Sequence, residues 1–189
     1  MALQEDGVER LRAGRLQLHL RPVRETEPAL DIAASAENAV VKWPLPPAFA
    51  PEIALARTQF SVSGTEQPVL APPLALAAWR DDGGIIDVRS LALDWGDISL
   101  RGEGTLALDE EMRPMGALTT QLRGYEVLLN AARDDGQITE GAARAAAAVL
   151  RLLAAANSGT LSVPVRLQGG EAFLGPVKIA RLSPLFPTP

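Results

Sequence analysis

The chain predicts a mainly β, α+β fold, an antiparallel meander sheet that curves on itself and carries a two-helix insert near its C-terminus. Three observations carry this expectation. Ile98, Leu100, Gly102, Gly104, Leu106 and Leu108 take every second position, with Ser99, Arg101, Glu103 and Thr105 between them, a period of two that a helix cannot produce. The tetrad Asp81, Asp82, Gly83, Gly84 precedes the paired segments 85–95 and 97–109, and Asp and Gly tolerate the positive φ of tight reversals. The period turns helical only late, around 124–158, so strand follows strand without the intervening helices of a βαβ series.

The first twelve residues read as a short charged leader without the apolar run of a secretory signal. Strand alternation then starts at Arg15, with Leu16, Leu18 and Leu20 on one side and Gln17 and His19 on the other. Leu30, Ile32, Ala34 and Ala36 repeat it, ending at Trp43 before the breaker run Pro44, Leu45, Pro46, Pro47. A strand around Ile53 and Leu55 changes phase by Phe60 and Val62, which predicts a bulge. After Pro72 and Pro73, Leu74, Leu76 and Ala78 predict a short strand leading to the Asp-Gly turn. Gly116, Leu118, Thr120 and Leu122 give one more strand face.

Next come a short helix near 125–132, a turn at Asp134, Asp135 and Gly136, and a longer helix over about 139–157. Its expected packing face is Ile138, Ala142, Ala145, Ala146, Val149, Leu152, Leu153 and Ala156, with Arg144 and Arg151 opposite. Gly159 is placed to cap it in the left-handed conformation. Leu161, Val163, Val165 and Leu167 restore the strand period, Pro164 implies an edge or bulge, and a last extended segment runs from Phe173 to Leu182. One domain follows, or the C-terminal part of a longer protein: sheet at 13–123, helical insert at 124–158, closing strands at 159–183 and a proline-rich tail at 184–189.

Composition narrows the function classes. At 189 residues with 47% hydrophobic and 22% charged, the chain is long and apolar enough to bury a core without a metal or disulfide staple. A formal charge of −5 and scattered arginines argue against nucleic acid, whose binding needs a basic patch. Ala142 to Ala156, the longest weakly polar run, contains Arg144 and Arg151 and is too short to span a bilayer.

No chemistry is legible. The chain lacks cysteine and has one histidine, His19, on the polar face of a strand, which removes thiolate chemistry and His-His metal sites. Gly102 to Ala107 mimics a dinucleotide fingerprint but continues as strand where that motif needs a helix N-terminus. Aligning Gly136 with the glycine of a calcium loop puts Ala131, Arg133 and Ala142 at ligand positions. The acidic groups Asp81 with Asp82, Asp94 with Asp97, and Asp109 with Glu110 and Glu111 sit at strand ends, where such residues serve local hydrogen bonding. The expectation is therefore a non-enzyme with no metal and no cofactor.

The run Trp79, Arg80, Asp81, Gly83, Gly84, then Leu91, Leu93, Asp94, Trp95, Gly96 and Gly104, Thr105, Leu106, Leu108, Asp109 resembles the uncharacterised bacterial envelope proteins grouped as domain of unknown function family 2125. The strand Gly116 to Gly124, the helical insert with Gly136 between its helices, and Phe173, Leu174, Gly175, Pro176 extend the likeness, which covers roughly Glu9 to Pro184. It is to the C-terminal half of that family, whose members begin with a membrane-anchoring helix and further strands. It implies a location on the periplasmic side of the inner membrane, with membrane contact only through an anchor that this chain lacks. Such proteins are similar to AsmA-like proteins, which implies lipid handling or outer-membrane upkeep with lipid or an envelope protein as partner.

Under that resemblance the candidate apolar groove is formed by Trp79, Leu91, Leu93 and Trp95 with Ile98, Leu100, Leu106 and Leu108. The alternative is that the same rows form a closed core in a protein-interaction module with no small ligand. The long helix must bury its apolar face somewhere, and this favours the closed core.

Overall fold

A computed structural model describes residues 2–5, 8–23, 29–42, 45, 47, 49–64 and 73–185. Among them, ten strands form one antiparallel sheet whose spatial order is the chain order: β1 (Ala2–Glu5), β2 (Val8–Val23), β3 (Ala29–Val41), β4 (Glu52–Ser63), β5 (Ile85–Trp95), β6 (Ile98–Leu108), β7 (Pro114–Arg123), β8 (Leu161–Gln168), β9 (Glu171–Leu174) and β10 (Val177–Arg181). Three helices interrupt the meander: α1 (Pro73–Asp81), α2 (Tyr125–Asp134) and α3 (Glu140–Ala155). The predicted class, meander and C-terminal helix pair are what the chain adopts.

Register shows why alternation makes two unlike faces. Residues opposite one another across a ladder point to the same side, and Leu16, Ala36, Ala56, Leu93, Leu100, Leu122 and Leu161 are successive partners from β2 to β8. The neighbouring row reads Leu18, Ala34, Thr58, Leu91, Gly102, Thr120, Val163, and the next Leu20, Ile32, Phe60, Val88, Gly104, Leu118, Val165. Rows between them, such as Gln17, Ser35, Arg57, Ala92, Arg101 and Gln121, form the polar face.

A bulge is present in β4, but it separates Ile53 from Leu55 and so lies earlier than the expected phase change by Phe60; a second bulge lies in β5. Ile53 and Leu55 oppose Trp95 and Asp94, so Ala54 is an extra residue in β4; Gln59 and Phe60 oppose Ser90 and Val88, so Arg89 is extra in β5. Because the side-chain period is two, each insertion flips the phase. Thus Ile86 and Val88 share a face with Leu91, Leu93 and Trp95.

Both helical layers lie on the apolar face. Leu76 and Trp79 of α1 cover Ile32, Val62, Ile86 and Leu108. The α2/α3 hairpin covers the far side of the sheet through Tyr125, Leu129, Ala146, Leu150 and Ala154, packed on Ile98, Leu122, Leu161, Val163 and Leu174. Leu150 and Leu161 are wholly buried, each worth about 1.5–3 kcal/mol of transfer free energy.

Several expectations are corrected. The segment Leu74, Leu76, Ala78 is helix α1, because Pro73 suits a first helical turn and the alanine-rich run that follows favours a helix. The first twelve residues are not only a leader, since β1 and the start of β2 pair there. The segment Phe173 to Leu182 is the hairpin β9–β10, reversing at Gly175 with φ 56°.

Helix α3 is rolled relative to its expected face: Ala143, Ala146, Leu150 and Ala154 are buried, while Val149, Leu152 and Leu153 are 42%, 77% and 41% exposed. The Thr139 side chain caps its N-terminus by accepting from the Ala142 N–H; its C-cap is Ala156, and Gly159, left-handed as expected at φ 82°, follows three residues later with its N–H donating to the Ala154 carbonyl.

Pro164 lies inside the sheet, paired to Thr119 of β7. Its carbonyl accepts from the Gly175 N–H, so the side of Pro164 that lacks a donor faces the point where β9 ends, and the β7 ladder loses nothing.

Candidate functional site

Among the described residues, part of the apolar face between α1 and the α2/α3 hairpin stays uncovered, and its relief follows from side-chain size. Across β2 to β5 one row reads Leu16, Ala36, Ala56, Leu93 and the next Leu18, Ala34, Thr58, Leu91. Large, small, small, large in two successive rows makes a trough along β3 and β4, with leucine walls three strand spacings, about 14 Å, apart at the backbone. Ile32 and Phe60 raise the floor at the α1 end. Phe49 and Trp95 close the other end, their ring centroids 4.7 Å apart and the Trp95 indole N–H donating to the Ala50 carbonyl at 2.6 Å.

The groove encloses about 250 Å³ and Leu100 completes one side. Leu16, Leu18 and Leu20 on the β2 wall are 44%, 63% and 52% exposed, an apolar patch of the kind that marks an interaction site. Thr58 contributes its methyl group, because its hydroxyl donates to the Ser90 carbonyl at 3.3 Å. β3 and β4 are interior strands, laddered on both sides, so the floor offers no free backbone donor or acceptor along these ladders.

Of the eight candidate residues, Leu91, Leu93 and Leu100 line this groove and Trp95 blocks its end. Ile98 is 3% exposed beneath the helix hairpin, and Leu108 packs under α1. Leu106 is half-buried between Ile86 and Gly116. Trp79 belongs to α1 and is buried at 1%, its indole N–H donating to the Ser63 carbonyl at 2.8 Å. The rows thus divide, part core and part open groove. Sequence reasoning missed the floor, Ala34, Ala36, Ala56 and Thr58, since an alanine at an alternating position signals only a face.

The acidic groups are engaged in local structure. Asp94 accepts from Arg101 at 2.8 Å and from the Ser99 hydroxyl, and these partners hold its carboxyl below the usual range. Asp109 accepts the Glu111 and Arg113 backbone N–H groups and the Arg113 guanidinium, which closes the β6–β7 turn; its pKa is lowered although desolvation opposes this. Asp81 binds Arg80. On the polar face Asp31 accepts from Ser61 at 2.5 Å and Arg21 at 2.7 Å, and pairs with Arg89 at 3.1 Å. Exposed His19 lies beside this group. Among the described residues no cluster of three or more His, Asp or Glu side chains could hold a metal ion, and no helix is long and apolar enough to cross a membrane.

These features define a class: an open antiparallel meander, helical on one face, with an exposed apolar groove between its helical layers. A family model described as an uncharacterized protein conserved in bacteria (DUF2125) matches residues 1–183, and the chain belongs to that family. Comparison with curated proteins and with solved structures gives no match.

Proposed function

We propose that this chain is a non-catalytic, AsmA-like cell-envelope domain that handles lipid on the periplasmic side of the inner membrane. The observation that carries the reading is the groove: apolar side chains from β2 to β6 stay open to solvent between two covered cores, although burying them would stabilise the fold. A site for polar chemistry needs convergent polar groups, whereas Asp31, Asp94 and Asp109 are each bound to arginine away from this groove. The rival, partner recruitment by strand addition at a sheet edge, is weaker at β10, where the Arg181 N–H already donates to the Gln137 side chain.

The test is native mass spectrometry with lipid extraction on protein purified from a Gram-negative envelope. Stoichiometric co-purifying lipid is the expected result. A lipid-free mass accompanied by a stoichiometric protein partner would replace lipid handling with the interaction module.

A further inference from the structure

Resting on the lipid reading, we infer that the groove selects hydrocarbon chain and ignores headgroup, seating an acyl chain along β3 and β4. Three features of the trough carry this. Its floor consists of Ala34, Ala36, Ala56 and the methyl of Thr58, so nothing in it discriminates charge or hydrogen-bonding pattern; the one hydroxyl is committed to Ser90. Ser35 and Arg57 also border the groove but turn their polar groups to the opposite face, where the Ser35 hydroxyl donates to the Gln17 side chain at 3.3 Å and Arg57 approaches Glu37 at 4.0 Å.

The floor strands are interior, with both sides of their backbones engaged in ladders. An extended peptide laid in the trough would lose water from its own N–H and C=O groups and find no partners on β3 or β4. A hydrocarbon chain has no such groups to satisfy. The walls leave room for such a chain: the leucines stand about 14 Å apart at the backbone and roughly perpendicular to the sheet, wider than the about 8 Å that contact across a single hydrocarbon chain requires.

The headgroup is left in solvent, so affinity is set by methylenes buried, each worth about a fourfold gain until the groove is full. Decanoate, laurate, myristate and palmitate, and the lysophosphatidylcholines bearing the same chains, would be titrated against this chain by displacement of anilinonaphthalene sulfonate. The expected result is affinity rising about fourfold per methylene and reaching a plateau, with each fatty acid matched within a few-fold by its lysolipid.

The double variant Ala36→Leu and Ala56→Leu fills the floor and should lower affinity at least tenfold with an unchanged melting curve, whereas Ala33→Leu on the opposite face should not. The chain-length series uses the unaltered protein and stands if the double variant fails to fold. Binding that follows the headgroup, or that ignores both chain length and floor filling, overturns the inference but leaves lipid handling standing. No binding of any chain, with no lipid co-purifying from the envelope, sinks both.

Discussion

The ring of Trp79 lies against the backbone of Gly84: a Cβ built on Gly84 would fall 2.1 Å from the indole Cε2. The indole N–H also donates to the Ser63 carbonyl, so α1 is locked to the ends of β4 and β5 by a contact only glycine permits. Gly84→Ala should destabilise the chain by about 1–3 kcal/mol through overpacking, and Trp79→Ala by about 3–5 kcal/mol through cavity formation. Urea unfolding followed by tryptophan fluorescence would measure the first and circular dichroism the second. A neutral Gly84→Ala would mean that α1 can lift off the sheet at little cost.

The roll of α3 gives a paired prediction. Leu150→Ala removes a wholly buried side chain and should cost about 2–5 kcal/mol. Leu152→Ala, two residues away and 77% exposed, should change stability by less than about 0.5 kcal/mol. Thermal melts of the two variants decide the face directly, and a larger loss for Leu152→Ala than for Leu150→Ala would restore the roll expected from sequence.

Asp31 titrates at about 2, below the ordinary 3.8, because the Ser61 hydroxyl and then Arg21 and Arg89 bond its ionised form. A carboxyl depressed by folding stabilises the native state above its unfolded pKa, and that contribution is lost as pH falls through the folded value. The loss therefore runs from about pH 4 to about pH 2. Asp31→Asn should be less stable by about 1 kcal/mol at neutral pH, and its stability should converge with that of the parent toward pH 2. Chemical melts of both proteins across the acid range would show this; a difference that stays constant with pH would assign the effect to packing.

Gly104 stands where β6 passes close to β7. Its φ is 151°, and a Cβ would lie 2.2 Å from the Ala117 carbonyl oxygen. Gly104→Ala meets both backbone strain and a backbone collision, and should cost about 3 kcal/mol or more. The same change at Gly136, with φ 70° but open space around it, meets only the strain and should cost about 1–2 kcal/mol. Equilibrium unfolding of the pair separates the two effects.

What the sequence disclosed depended on how far apart the relevant residues lie. Strand β6 was legible residue by residue because Ile98 to Leu108 alternate without a break, and the turn at Asp82 and Gly83 fell where composition put it. The segment before that turn was misread because Leu74, Leu76 and Ala78 satisfy a period of two while the same residues, started by Pro73, also suit a helix. For α3, apolar residues surround most of the helix and Glu140, Arg144 and Arg151 mark only one border, so the direction of its buried face was poorly determined. The groove was invisible for another reason. Its profile runs across four strands, from Leu16 through Ala36 and Ala56 to Leu93, and exists only once register is known.

The identity of spatial and chain order bears on how the molecule assembles and how it can vary. Every interior strand pairs with the strand made just before it, and only β4 with β5, across α1, and β7 with β8, across the α2/α3 hairpin, must close a long connection, so most of the search that slows β proteins is local. Cooperativity should decay along the sheet as in a row of dominoes: a lesion in β9 reaches β8 and β10 first and β1 last, whereas one under α1 loosens β3 to β6 together. Hydrogen exchange should accordingly report two islands of protection, one beneath each helical layer, and the greasy channel between them as the seam where the sheet yields first.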